Sequence, residues 1–156
     1  MSTTSTRLLI GFIAGFLSHL SFESALGAFL YAAQLVPNLP WSLEPVVPLG
    51  VPRSVSLGFW AGLFGVCYVL LEPQLTARLG QWSGGLVFGL ALPLVVDWTV
   101  VLPLKGAGFA GGFHLATVPI DISLNAALGI GTVVLFWLGV ALVERRFPPP
   151  PMGLHS

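Results

Sequence analysis

A chain of 156 residues with zero net formal charge, 55% hydrophobic and only 8% charged, cannot build the water-facing surface of a soluble domain, where about 25% of residues are charged. The mean hydropathy of +0.91 says the surface faces lipid. Six basic residues are balanced by six acids, so no basic patch exists to neutralise phosphates, and a nucleic-acid partner is excluded.

Residues 1–7 are short and polar with one positive charge, and an apolar run follows from Leu8. That opening is also how a secretory signal begins, and Ala25-Leu26-Gly27-Ala28 offers small residues for cleavage. The run continues to Val36, however, well past a signal core of about 7–15 residues, so an uncleaved first helix over 8–36 is expected. Within it Gly11, Gly15, His19, Glu23 and Gly27 recur every fourth position. Such spacing places them on one helix face, which therefore looks away from lipid. Prolines 37, 40, 45, 48 and 52 make a connection that cannot be regular helix, with Trp41 suited to a membrane–water interface.

A second span is predicted over 55–71, stopped by Glu72-Pro73, and the lone Cys67 within it has no partner for a disulfide or metal pair. A short polar link carrying Arg78 and Gln81 leads to a third span over 82–104, with Pro93 and Asp97 inside it. Lys105 and a turn rich in glycine (Gly106, Gly108, Gly111, Gly112) close it. A fourth span over 120–143 ends at Glu144-Arg145-Arg146, and Pro148 to Pro151 make an extended tail over 144–156. The expected fold is therefore an all-α membrane protein of four transmembrane helices. With the N-terminus inside, Arg7, Arg78, Arg145 and Arg146 are cytoplasmic and Arg53 and Lys105 are not, which places both termini in the cytoplasm of a bacterial inner membrane.

The chain reads as an internal repeat. Val51-Pro52-Arg53-Ser54-Val55-Ser56-Leu57 matches Val118-Pro119-Ile120-Asp121-Ile122-Ser123-Leu124, which pairs Gly58 with Asn125 and Gly62 with Gly129. Gly11 and Gly15 match Gly85 and Gly89, and Glu23 falls on Asp97. Two similar tandem hairpins, about 8–71 and 82–143, follow as one membrane domain, with Glu23 and Asp97 at similar depth. The pairs Gly11/Gly15, Gly58/Gly62 and Gly85/Gly89 are GxxxG motifs, with Asn125, Gly129 and Gly131 supplying small residues in the fourth helix. They predict a tight bundle, or a homo-oligomer contact through a leftover motif.

The polar residues inside the membrane, His19, Glu23, Asp97, Arg53, Lys105 and Asn125, gather toward the outer half, and the inner half reads as apolar and glycine. A carboxylate in hydrocarbon must protonate, reach water or find a partner. Three readings stay open: ion pairs Glu23–Arg53 and Asp97–Lys105, a proton- or ion-handling site of His19, Glu23 and Asp97, or a metal site adding His114. No cofactor is expected. No catalytic motif occurs, and Ser18, Ser21 and Ser24 are not three or four residues from His19, so no nucleophile shares its face and no enzyme is expected.

The run from Gly50-Val51-Pro52 to Ser56-Leu57, then Phe59-Trp60-Ala61-Gly62-Leu63, with Asp97-Trp98 and Pro103-Leu104-Lys105-Gly106, resembles a family of small four-helix bacterial inner-membrane proteins without assigned function. The resemblance implies a four-span fold and brings no activity. Two roles remain: a non-enzymatic membrane subunit or accessory protein held by lipid and a membrane-protein partner, or a small oligomeric channel or transporter.

Overall fold

The computed structural model describes residues 3–46, 50–104, 106 and 108–146. Lys105, Pro48 and the prolines of the tail lie outside them. Four helices are long and apolar enough to cross a membrane: Thr4–Ala32, Arg53–Leu79, Gln81–Val101 and Val118–Arg146. At 1.5 Å per residue the 29-residue first and fourth spans reach about 43 Å, beyond the roughly 30 Å hydrocarbon core.

The span boundaries differ from expectation for local reasons. The first span starts at Thr4 because Thr3 caps it, with Thr6 N donating to Thr3 Oγ1 at 3.3 Å. It ends at Ala32, four residues early, in a Schellman turn. Gln34 takes a left-handed φ of 59°, Gln34 N donates to Tyr31 O and Leu35 N to Leu30 O, both at 2.9 Å. The second span does not stop at Glu72-Pro73. It continues through Pro73 to Leu79, because one proline removes one backbone bond, which a long packed helix tolerates. The expected polar link shrinks to Gly80, whose φ of 76° lets the chain reverse at one residue, and Arg78 and Gln81 are both helical. In the third span Pro93 interrupts the helix after Ala91.

Two π-helical turns stand out, His19–Glu23 in the first span and Asp97–Val101 in the third. Each adjoins an intramembrane acid. A π turn inserts one residue into the helix and shifts the phase of every side chain beyond it.

The first span packs against the second and fourth, and the third against the fourth and second, so the spans form a ring with sequence neighbours in contact. Backbones meet where glycine permits. A Cβ on Gly15 would collide with the Ala61 carbonyl, and one on Gly11 would lie 2.7 Å from Gly65 O. Likewise Gly89 abuts the Asn125 carbonyl, and Gly85 abuts Val133 and Gly129. Gly58 and Gly62 serve differently: they leave room for the rings of Phe16 and Phe12. Gly65, Gly131 and Gly139 also sit in close helix contacts, although none belongs to a GxxxG pair named above. Between the first and fourth spans, fully buried Ser18 donates to Leu128 O at 2.8 Å.

Tyr68, Phe88 and Phe136 meet edge to face at the bundle centre, with Tyr68 5.3 Å from Phe88 and 5.7 Å from Phe136 between centroids. Ile10, Ala14, Val133 and Val140 fill in around them. Large apolar side chains such as Leu9, Phe29, Trp60 and Leu142 point outward, more than half exposed, as lipid contact requires.

The half of the bundle that holds the N-terminus, expected to be apolar and glycine, is not purely apolar. Arg7 Nη2 lies 3.0 Å from Glu72 Oε2, with the Glu72 side chain only 8% exposed. Thr76 Oγ1 donates to the other carboxylate oxygen at 3.1 Å. The Arg7 guanidinium sits 5.0 Å above the Phe136 ring and 5.8 Å from Trp137.

Candidate functional site

The opposite end carries a cleft of about 440 Å³ between the C-terminal part of the first span, the proline-rich connection and the start of the second span. His19 and Glu23 lie in its inner wall. The spacing of four, realised across the π turn, brings His19 Nδ1 to 2.9 Å from Glu23 Oε2. A proton on Nδ1 is donated to the carboxylate oxygen in this hydrogen bond. His19 is 7% exposed, and its Nε2 is buried without a hydrogen-bond partner in the protein.

The π turn also draws in groups that an α-helix would keep apart. Ser24 Oγ donates to His19 O at 2.6 Å, across five residues. Trp41, which lines the cleft, donates from Nε1 to Leu20 O at 3.0 Å and so ties the connection to the π turn. Ser54 Oγ, at the head of the second span, donates to Ser42 O at 2.8 Å. The two-residue strands Pro45–Val46 and Val51–Pro52 pair antiparallel, and Arg53 N donates to Glu44 O at 2.8 Å. The connection is therefore a strap fixed at both ends, not a loose loop.

Arg53 lines the cleft, yet among the described residues it forms no ion pair with Glu23. The carboxylate bonds His19 instead, one turn away on the same helix. Asp97 is half-buried at the start of its own π turn and does not line the cleft. Its expected partner, Lys105, lies outside the described residues. Asn125 Nδ2 donates to Asp121 O at 2.9 Å, and Asp121 accepts from Trp98 Nε1 at 3.1 Å, so Asn125 belongs to the outer end of the fourth span and not to the cleft. His114 is exposed in the loop before that span. Among the described residues no three donors come together as a metal would require.

A ring of four apolar spans around a filled aromatic core makes this an all-α, four-span membrane protein. No family model matches the chain, and no solved structure does. Over 107 residues, 69% of its length, it is 28% identical to a protein named Na(+)/H(+) antiporter NhaA from Gluconobacter oxydans (strain 621H). The match spans about a quarter (26%) of that relative.

Proposed function

We propose that the protein is a non-enzymatic integral protein of the bacterial inner membrane, a subunit or accessory protein that works against a second membrane protein or a second copy of itself. One observation carries this reading. Below the cleft the bundle is filled by Tyr68, Phe88 and Phe136 and then closed by the Arg7–Glu72 pair. A packed interior of this kind leaves no water-filled route among the described residues of a single chain.

The tandem-hairpin reading, about 8–71 and 82–143, belongs to the same proposal. Each half has a π turn beside its acid, and each has two glycines of one helix set against small residues of the next. The contacts differ in register from the motif alignment. Gly11 and Gly15 face Gly65 and Ala61, while Gly85 and Gly89 face Gly129 and Asn125. Gly129 thus stands where Gly65 does, three positions on from Gly62, and the halves are similar without being copies.

The second reading, a small oligomeric transporter of protons or small ions using His19, Glu23 and Asp97, is favoured by the likeness to a protein named as an antiporter and by the His19–Glu23 pair inside a cleft. Reconstitution into liposomes holding a pH-sensitive dye separates the two. The subunit reading expects no proton or sodium flux above empty liposomes when a gradient is imposed. Flux that Glu23→Gln abolishes would replace it with the transporter reading.

On the arginine bias we also propose that both termini are cytoplasmic and the strap lies outside. In a Cys67→Ser background, a cysteine at Ser42 is expected to react with a membrane-impermeant thiol reagent on intact cells, and cysteines at Ser2 or Ser156 only after lysis. The opposite pattern inverts the topology.

A further inference from the structure

We infer that the cleft is a binding site for a small amino carboxylate, a zwitterion of amino-acid size. Charged side chains of both signs line it. Glu23, hydrogen-bonded to His19, lies in its wall. Among the described residues the Arg53 guanidinium and the Glu44 carboxylate, both exposed, line the opening without an ion pair.

The arrangement of charge selects the ligand. The wall offers Glu23, held by His19 Nδ1 and so fixed in place. Its carboxylate suits an ammonium group, which carries three donors and no acceptor. The outer wall offers Arg53, whose forked donors match a carboxylate. A simple cation would leave Arg53 unused, and a simple anion would face Glu23 and Glu44. Between the charged groups the lining is apolar, with Val36, Leu57 and Leu124 able to receive an aliphatic side chain. The volume of about 440 Å³ is within the range of small-molecule sites, about 300–1,000 Å³. A metal ion fits poorly, since the described residues bring no three donors together.

The test uses the full-length protein purified in detergent, titrated with leucine, leucinamide or 4-methylpentanoate, with binding read by calorimetry and by the fluorescence of Trp41 against a Trp41→Phe control. Saturable leucine binding is expected, at least about tenfold tighter than leucinamide and with no measurable binding of 4-methylpentanoate. Arg53→Gln should erase the preference for leucine over leucinamide, and Glu23→Gln should weaken both by about tenfold or more while the melting temperature of each variant confirms a folded chain. If one variant fails to fold, Glu44→Gln and the three-ligand comparison on unaltered protein still decide. Absence of saturable leucine binding, or leucinamide binding as tightly as leucine, overturns the assignment. Because binding is measured at equilibrium without a gradient, its failure leaves the subunit reading standing, and ion flux would remove that reading without touching the site.

Discussion

Replacing Gly15 with leucine is expected to lower the melting temperature of the protein in detergent sharply. A Cβ there runs into the Ala61 carbonyl and lies 3.0 Å from Gly65 N. Both obstacles are backbone, so neither can swing aside as a side chain would. The first and second spans must separate along their whole contact. In lipid no hydrophobic force pulls them back together, because the tails are as apolar as leucine. Overpacking in a soluble core costs about 1–3 kcal/mol, occasionally more, and a rigid backbone clash belongs at the upper end. A loss of about 3 kcal/mol in a chain of this size lowers Tm by about 6–12 °C. Gly62→Ala is expected to do much less, since its Cβ meets only the Phe12 ring, 2.7 Å away on a side chain that can rotate. Leu9→Ala, 60% exposed to the surroundings, serves as the neutral control. Thermal melts of the three variants check the order, and a Gly15→Leu protein as stable as Leu9→Ala would show that this face is not packed as described.

The four spans could be read from the sequence, and so could the faces on which the glycines of the first and third gather, because both are periodic. An unbroken apolar run of about 20 residues is the length a bilayer core demands and more than a soluble helix buries, and small residues four apart must share a face. The π turns could not be read. Nothing in His19-Leu20-Ser21-Phe22-Glu23 marks the inserted residue, and periodicity assumes its absence. Beyond the insertion the phase moves, so Ser24, apparently on another face from His19, ends up bonded to its carbonyl. The His19–Glu23 pair was visible in the spacing, but the strap that covers it was not, because proline spacing says where a chain is extended and not where it folds back. Glu72 departs furthest from its sequence context. Read beside Pro73 it looks like a helix stop. Read with Ser54, Gly58, Ala61, Gly65 and Tyr68, at alternating steps of four and three, it continues one buried stripe, and that phase marks it as an interior acid that needs a partner.

The partner is Arg7, and removing either member is expected to destabilise the bundle strongly. Glu72 is buried and bonded on both oxygens, by Arg7 and by Thr76, while Arg7 has its guanidinium over the rings of Phe136 and Trp137. Breaking a buried pair from one side leaves an uncompensated charge and costs about 3–5 kcal/mol. Glu72→Gln therefore strands Arg7 against two aromatic faces, and Arg7→Gln strands a carboxylate in the bundle interior. The second is expected to be the worse of the two. A cation over ring faces keeps some attraction, and Arg7, with 27% of its side chain exposed, can extend toward the headgroups, whereas Glu72 can do neither. Replacing both residues with methionine removes the charges together, and such exchanges are often neutral or stabilising. The expected order of melting temperatures is Arg7→Gln lowest, Glu72→Gln next, and the double methionine variant close to the unaltered protein. If the double variant melts as low as Arg7→Gln, the ends of the first, second and fourth spans need the pair itself and not merely charge balance. If both single variants melt like the unaltered protein, water reaches the pair and the inner end of the bundle is open, which would return the cleft above it to the transporter reading.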